Sequence, residues 1–335
     1  MQNALPNSCG KRAAVRAQSV TPPCGGRLEE NSRCVPAGRA PLVVRHRPAT
    51  AARWRQERTV HADGTELAVW ERHEDPDAGA APAPHVVLVH GFEEGWESWQ
   101  PLLEHLPRTV RASALSLPWR AGSAHTWPRH GDAATWLARA FDVLERPPDL
   151  FVAHSFGACA LLQLLARHPA HPYRDVPAAL VAPVWRVGDR SLTPEFFAEA
   201  RTRFRHTITE GLQVQLHTRG RTVSGELLRI MADKVLERVE PEGFLQFYLE
   251  LARLPHLPVD RITAPLLVVS GLDDTAAPGG DLEVLRRRAR DITVHRAPHL
   301  GHFCQTQQPA QVAEQITDFL PMLRLPHSAE EMRTA

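Results

Sequence analysis

The sequence offers little from which to build a disulfide framework, a membrane anchor or a nucleic-acid surface. It has five cysteines in 335 residues, Cys9, Cys24, Cys34, Cys159 and Cys304. The count is odd, three of the five fall before residue 55, and no C-x-x-C pair occurs. A disulfide scaffold is therefore not expected, and a reducing, cytoplasmic location is. No stretch reaches the roughly 18 apolar residues of a spanning helix. The first twenty residues carry basic groups but no apolar h-region, so a secretory leader is not expected. Lys and Arg together number 39 against 38 Asp and Glu, a formal charge of +1. That balance gives no reason to expect nucleic acid or an anionic membrane as partner. No internal repeat or heptad run is present.

Acids are also scarce at the start, where Glu29 and Glu30 are the only ones before Glu57. Residues 1–55 are rich in Arg, Pro, Ala and Gly and lack apolar periodicity, and they are expected to form a disordered extension. Order is expected from about Arg58. RTVHADGTELAVWER reads as a hairpin turning at Asp63-Gly64. Downstream, short continuous apolar runs alternate with helical spacing. HVVLVH (85–90), ASALSL (112–117), DLFVA (149–153), AALVAPV (178–184), PLLVVSG (265–271) and DITVHR (291–296) read as buried strands. DAATWLARAFDVLE (132–145), ACALLQLLARH (158–168) and PAQVAEQITDFL (309–320) read as helices, the last with Pro309 at its start. This alternation implies an α/β fold, with a mostly parallel central sheet flanked by helices. Between residues 184 and 260 no buried strand occurs. EFFAEARTRFRHTI, SGELLRIMADKVLERV and GFLQFYLELARL read there as a helical cap insertion. The core is thus expected over 56–183 and 261–324, with a tail at 325–335.

The chemistry concentrates where strands end. Ala153-His154-Ser155-Phe156-Gly157 lies between an apolar strand and an apolar helix, and is a G-x-S-x-G nucleophile elbow with Ala in place of the first Gly. Small residues flank such a serine because the turn is tight and strained. His90-Gly91-Phe92 ends an earlier strand. Two backbone N–H groups, those of Phe156 and Phe92, would converge on a carbonyl oxygen as an oxyanion hole. Gly271-Leu272-Asp273-Asp274 and Leu300-Gly301-His302-Phe303 follow two later strands. The order Ser, Asp, His suits a relay in which His302 takes the Ser155 proton and an aspartate orients the imidazole.

On these motifs the chain, over about residues 58–324, resembles the α/β-hydrolase superfamily in its cap-bearing branch of small esterases, thioesterases and carbon–carbon bond hydrolases. The resemblance implies Ser155 as nucleophile, His302 as base and Asp274 as acid. Asp274 is preferred to Asp273 because the family spacing is matched by Gly271, Asp274 and Pro278. The family's acidic strand end before Leu-Pro-Gly is replaced here by Ser116-Leu117-Pro118-Trp119. The serine elbow argues against epoxide hydrolysis or dehalogenation, which use aspartate in similar folds.

The expected function is hydrolysis of an ester or thioester of a small, apolar acyl substrate through an acyl-enzyme, with no organic cofactor and no metal. Acyl transfer or C–C bond hydrolysis on a biosynthetic intermediate stands beside it. So does a non-catalytic ligand-binding protein on the same fold. His154, Phe196 and Phe247 are the candidate substrate contacts, although core packing of the cap explains the two rings equally well. His295, His299 and His302 lie close in sequence but lack a carboxylate at metal-ligand spacing. Cys159 reads as a core residue and Cys304 as a bystander. Arg201, Arg203 and Arg205 read as a solvated helix face. The oligomeric state is not legible.

Overall fold

The computed structural model describes residues 54–72, 83–186, 193–272, 274 and 279–322. Eight strands form one sheet: β1 (Trp54–Ala62), β2 (Thr65–Arg72), β3 (His85–Val89), β4 (Arg111–Ser116), β5 (Leu150–His154), β6 (Ala178–Val181), β7 (Leu266–Gly271) and β8 (Ile292–Ala297). Their spatial order is β1-β2-β4-β3-β5-β6-β7-β8. β2 is antiparallel to β1 and β4, and every other pairing is parallel. The β1–β2 hairpin turns at Asp63 and Gly64, both with positive φ (50° and 73°), the two-residue turn that matches strand twist.

One sequence boundary moves. Trp54 and Arg55, assigned to the disordered extension, belong to β1 and pair with Arg72 and Glu71. The Trp54 ring packs 5.4 Å from that of Trp96, an anchor that local composition does not reveal. The rest of the expected extension and the 325–335 tail lie outside the described residues.

The helices are α1 (Gln100–Leu103), α2 (Ala133–Phe141), α3 (Ser155–Arg167), α4 (Pro194–Thr218), α5 (Gly225–Val239), α6 (Leu245–Arg253), α7 (Gly279–Arg288), α8 (Cys304–Gln307) and α9 (Pro309–Met322). Strand alternation sorts the core into two layers. Val87, Val89, Phe151, Ala153 and Leu180 face α2, α3 and α7 through Trp136, Leu137, Leu161 and Leu285. Val86, Leu88, Val152, Val181 and Val269 face α1 and α9 through Leu102, Leu103, Val312 and Ile316. Both faces of the parallel strands β3 to β7 are covered, which is why they read as continuous apolar runs, while the edge strand β8 is only partly buried.

Between β6 and β7 lie α4, α5 and α6, with a π-helical turn at Glu240–Phe244 leading into α6. Thr193 caps α4 by accepting from the Phe196 N–H at 3.2 Å, and Pro194 occupies the first helical position. α4 extends ten residues past Ile208, the end of the helix expected from the sequence. Among the described residues no helix is long and apolar enough to cross a membrane.

Candidate active site

β3, β5, β7 and β8 run parallel, so the loops after all four open at one edge of the sheet, where α/β proteins place their ligands. β5 ends at His154 and α3 begins at Ser155 with no intervening residue. The turn forces Ser155 to φ +50°, a left-handed conformation that costs a side chain energy and lifts it above the sheet. Gly157 shows how tightly α3 is pressed on the end of β3. A Cβ there would fall 2.5 Å from the His90 carbonyl oxygen and 2.7 Å from that of Val89. The Phe156 amide, in the first turn of α3, is thereby brought beside the loop that carries the Phe92 amide.

The expected serine, histidine and aspartate meet. Ser155 Oγ lies 2.9 Å from His302 Nε2, and His302 Nδ1 lies 3.0 Å from Asp274 Oδ2 and 3.2 Å from Oδ1. All three side chains are buried. Burial pulls the His302 imidazole toward neutrality, but the Asp274 carboxylate, aided by Glu94 and Glu210, outweighs it and raises its proton affinity above the ordinary 6.5. Asp273 lies outside the described residues. The three neighbouring histidines part company, with His295 on β8 and His299 hydrogen-bonded to Gln311 at the surface.

Ser116-Leu117-Pro118-Trp119, where the sequence departs from the family pattern, is tied to the first loop. His90 Nδ1–H donates to the Gly91 carbonyl at 2.8 Å, and His90 Nε2 accepts from the Leu117 N–H at 3.1 Å. The Trp119 indole donates to the His90 carbonyl at 3.1 Å. Burial lowers His90 to about 4, so it serves this joint as a neutral ring.

Residues 86–315 match the model of the alpha/beta hydrolase family, more than half of the chain. The chain belongs to the α/β hydrolase family. A pimeloyl-[acyl-carrier protein] methyl ester esterase from Neisseria meningitidis serogroup A is 29% identical over 260 residues, 68% of this chain and 74% of that protein. A membrane phospholipase A described as a bacterial virulence factor superposes with a TM-score of 0.58 at 22% identity, over 80% of this chain and 86% of the other. The thioesterase domain of a curacin biosynthetic pathway gives 0.53 at 17% identity, over 79% and 100%.

A cavity of about 350 Å³ stands over the hydrolase's serine. Its walls are largely apolar, from Phe92, Val184, Phe196, Phe204, Ile208, Phe247 and Leu251, with α4 supplying much of the roof. Both rings named from sequence, Phe196 and Phe247, line it. Phe247 also belongs to the aromatic packing, 5.5 Å from Phe92 and 5.4 Å from Phe156. His154 borders the cavity too, but its ring nitrogens are engaged elsewhere. Nδ1 lies 2.9 Å from Glu94 Oε2, and Nε2 lies 2.8 Å from the His302 carbonyl. His154, expected from sequence as a substrate contact, thus lines the cavity with both ring nitrogens hydrogen-bonded within the protein. Arg203 borders the cavity with its guanidinium on Glu199 at 2.5 Å. Cys304 is buried with its thiol pushed up to about 12, and burial pushes Cys159 up as well, so neither is a ready nucleophile.

Sequence reasoning missed two acids. Glu93, at φ +57°, follows Phe92. It accepts from Arg238 of α5 at 2.6 and 3.1 Å, and from buried His125 at 2.5 Å. The His125 ring in turn stacks on Phe92 at 4.9 Å. The cap is thereby bolted to the residue beside the Phe92 amide. Glu94 joins the network around His154. Neither acid carries a spacing signal, since apart from the local Gly91 N–H their side-chain partners come from distant elements.

Proposed function

We propose that this hydrolase cleaves a carboxylic ester or thioester of a small, mostly apolar acyl group through an acyl-enzyme on Ser155. The observation that carries the reading is the chain of contacts from Ser155 Oγ to His302 Nε2 at 2.9 Å and from His302 Nδ1 to Asp274 at 3.0 Å, buried at the floor of an apolar cavity. His302 takes the hydroxyl proton as Oγ attacks the carbonyl carbon, and Asp274 holds the tautomer and balances the imidazolium. The oxyanion rests on the Phe92 and Phe156 N–H groups. His302 then gives its proton to the departing alcohol or thiol. Water, deprotonated by the same ring, attacks the acyl-enzyme and releases the acid with Ser155 restored.

Residues 184–260 act in this reading as the cap that shapes the acyl pocket, with Phe196 and Phe247 in its roof. The meningococcal relative is named for a methyl ester, an ester with a very small leaving alcohol, and methyl esters belong in any substrate panel. The two cysteines among the described residues, Cys159 and Cys304, are free and buried, which supports a reducing, cytoplasmic setting.

The test is fluorophosphonate labelling together with turnover of nitrophenyl esters and acyl thioesters of graded chain length. Labelling is expected at Ser155, with turnover strongest for chains that fit the cavity. Ser155→Ala is expected to lose both, with kcat down by several orders of magnitude. Turnover retained by a folded Ser155→Ala protein overturns the proposal.

A further inference from the structure

Glu94 is buried, and its carboxylate reaches each of the loops that bring the reacting groups together. Oε2 accepts from the Gly91 N–H at 2.9 Å, within the loop that carries Phe92. The same oxygen lies 2.9 Å from His154 Nδ1, on the elbow next to Ser155. Oε1 accepts from Gln305 Nε2 at 3.3 Å, on α8 just past His302. His154 passes the connection on, since its Nε2 meets the His302 carbonyl at 2.8 Å. A carbonyl oxygen only accepts, so Nε2 must carry hydrogen. Glu94 Oε2 already receives the Gly91 N–H, and His154 Nδ1 lies within hydrogen-bond distance of the same oxygen. Glu94 and His154 are thereby buried hydrogen-bond partners beneath the base. Burial alone would raise the Glu94 carboxyl, but the His154 ring and the Gly91 N–H outweigh it and hold it below the ordinary glutamate value. The fit at Gly91 is close, as a Cβ there would lie 3.0 Å from His154 Nδ1 and 3.1 Å from Glu94 Oε2.

We infer that Glu94 is a positioning residue for hydrolysis, acting through Gly91, His154 and Gln305 to fix the Phe92 loop, the Ser155 elbow and the His302 loop relative to one another. The inference rests on the assignment of Ser155 and His302 above. A lone buried carboxylate is costly, and its retention is explained when three charge-assisted hydrogen bonds spend it on geometry. Small errors in that geometry are amplified, because a misplacement of about 1 Å can cost on the order of a hundredfold in rate. The carboxylate also acts at a distance. His302 faces Asp274, Glu94 and Glu210, with Ser155, His154 and Cys304 around it, and both Glu94 and Glu210 add to the pull of Asp274 on its proton.

Glu94→Gln keeps the shape and removes the charge. A flipped Gln305, whose Oε1 has no hydrogen-bond partner, can accept from the new amide. Ester turnover by the full chain should be followed across pH for Glu94→Gln, His154→Gln and the double variant, with thermal midpoints recorded and Ser155→Ala run in parallel. Glu94→Gln is expected to lower kcat by roughly tenfold to a hundredfold and to leave KM within about threefold. Its acid limb is expected to move to lower pH, because one anion that favours the His302 proton is gone. The double variant is expected to lose little beyond the worse single one, since the two residues act as a unit. An unchanged kcat and acid limb in a folded Glu94→Gln protein overturn the inference, as do fully additive losses in the double variant. If Glu94→Gln fails to fold, an unchanged kcat in His154→Gln overturns it. Should Ser155→Ala retain turnover, the underlying serine assignment falls instead.

Discussion

Ser155 is held in a backbone conformation that its own side chain disfavours, with φ at +50°. A Cβ in the left-handed region costs about 1 kcal/mol, and glycine is free of that cost. Ser155→Ala and Ser155→Gly both remove the hydroxyl and its bond to His302, so they differ chiefly in this strain. Ser155→Gly is expected to be the more stable of the two by about 1 kcal/mol in denaturant melts, with both inactive. Equal midpoints would show that the elbow holds the serine without strain. Ser155, Asp274 and His302 were legible in the sequence because each follows the C-terminal end of a strand, at spacings shared across a family. Glu93 and Glu94 were not. An acid after a glycine in a loop ordinarily faces water, and the partners that draw these two inside, Arg238 and His154, lie 145 and 60 residues further on. Only the assembled sheet edge brings them within reach.

At the scale of elements, the cap is joined to the core by more than apolar contact. Arg238 of α5 grips Glu93, and the rings of Phe204 and Phe247 lie against Phe92. Arg238→Met keeps the apolar stem and removes the fork, leaving Glu93 with His125 alone. The loop beside the Phe92 amide then loses its main tether. Turnover is expected to fall on the order of tenfold, with kcat bearing the loss rather than KM. Affinity for a boronic acid, which mimics the tetrahedral intermediate, should weaken in step. A pure KM effect would mean that the arginine serves substrate entry instead. The cap's helices were visible as a stretch without buried strands. Their limits were less so, because the second half of α4 reads polar and carries Gly211. That half is kept helical by Val214, which packs inward, and by Gly211, whose missing side chain admits the ring of Phe303. The π turn at Glu240–Phe244 has no periodic signature at all, and its Gly243 lies against His125.

Across the whole molecule, the sheet was the most legible feature. The five parallel strands β3 to β7, covered on both faces, leave short continuous apolar runs that no amphipathic helix would show. The strand order could be inferred only as a class, because a buried run does not state its neighbours. That order has a consequence for how the enzyme fails. Ser155 hangs from β5, in the middle of the sheet, while His302 hangs from the loop after β8, a strand that pairs with β7 alone and is only partly buried. Rims of sheets open at lower free energy than centres. On heating, ester turnover is therefore expected to fade several degrees before the far-ultraviolet dichroism of the helices, and amides of β8 to exchange hydrogen faster than those of β5. Coincident loss of both signals would show that α8 and α9 clamp the rim as firmly as the centre. An enzyme arranged in this way is expected to stop working while still largely folded, and activity is expected to return on cooling by re-docking one strand rather than rebuilding a domain.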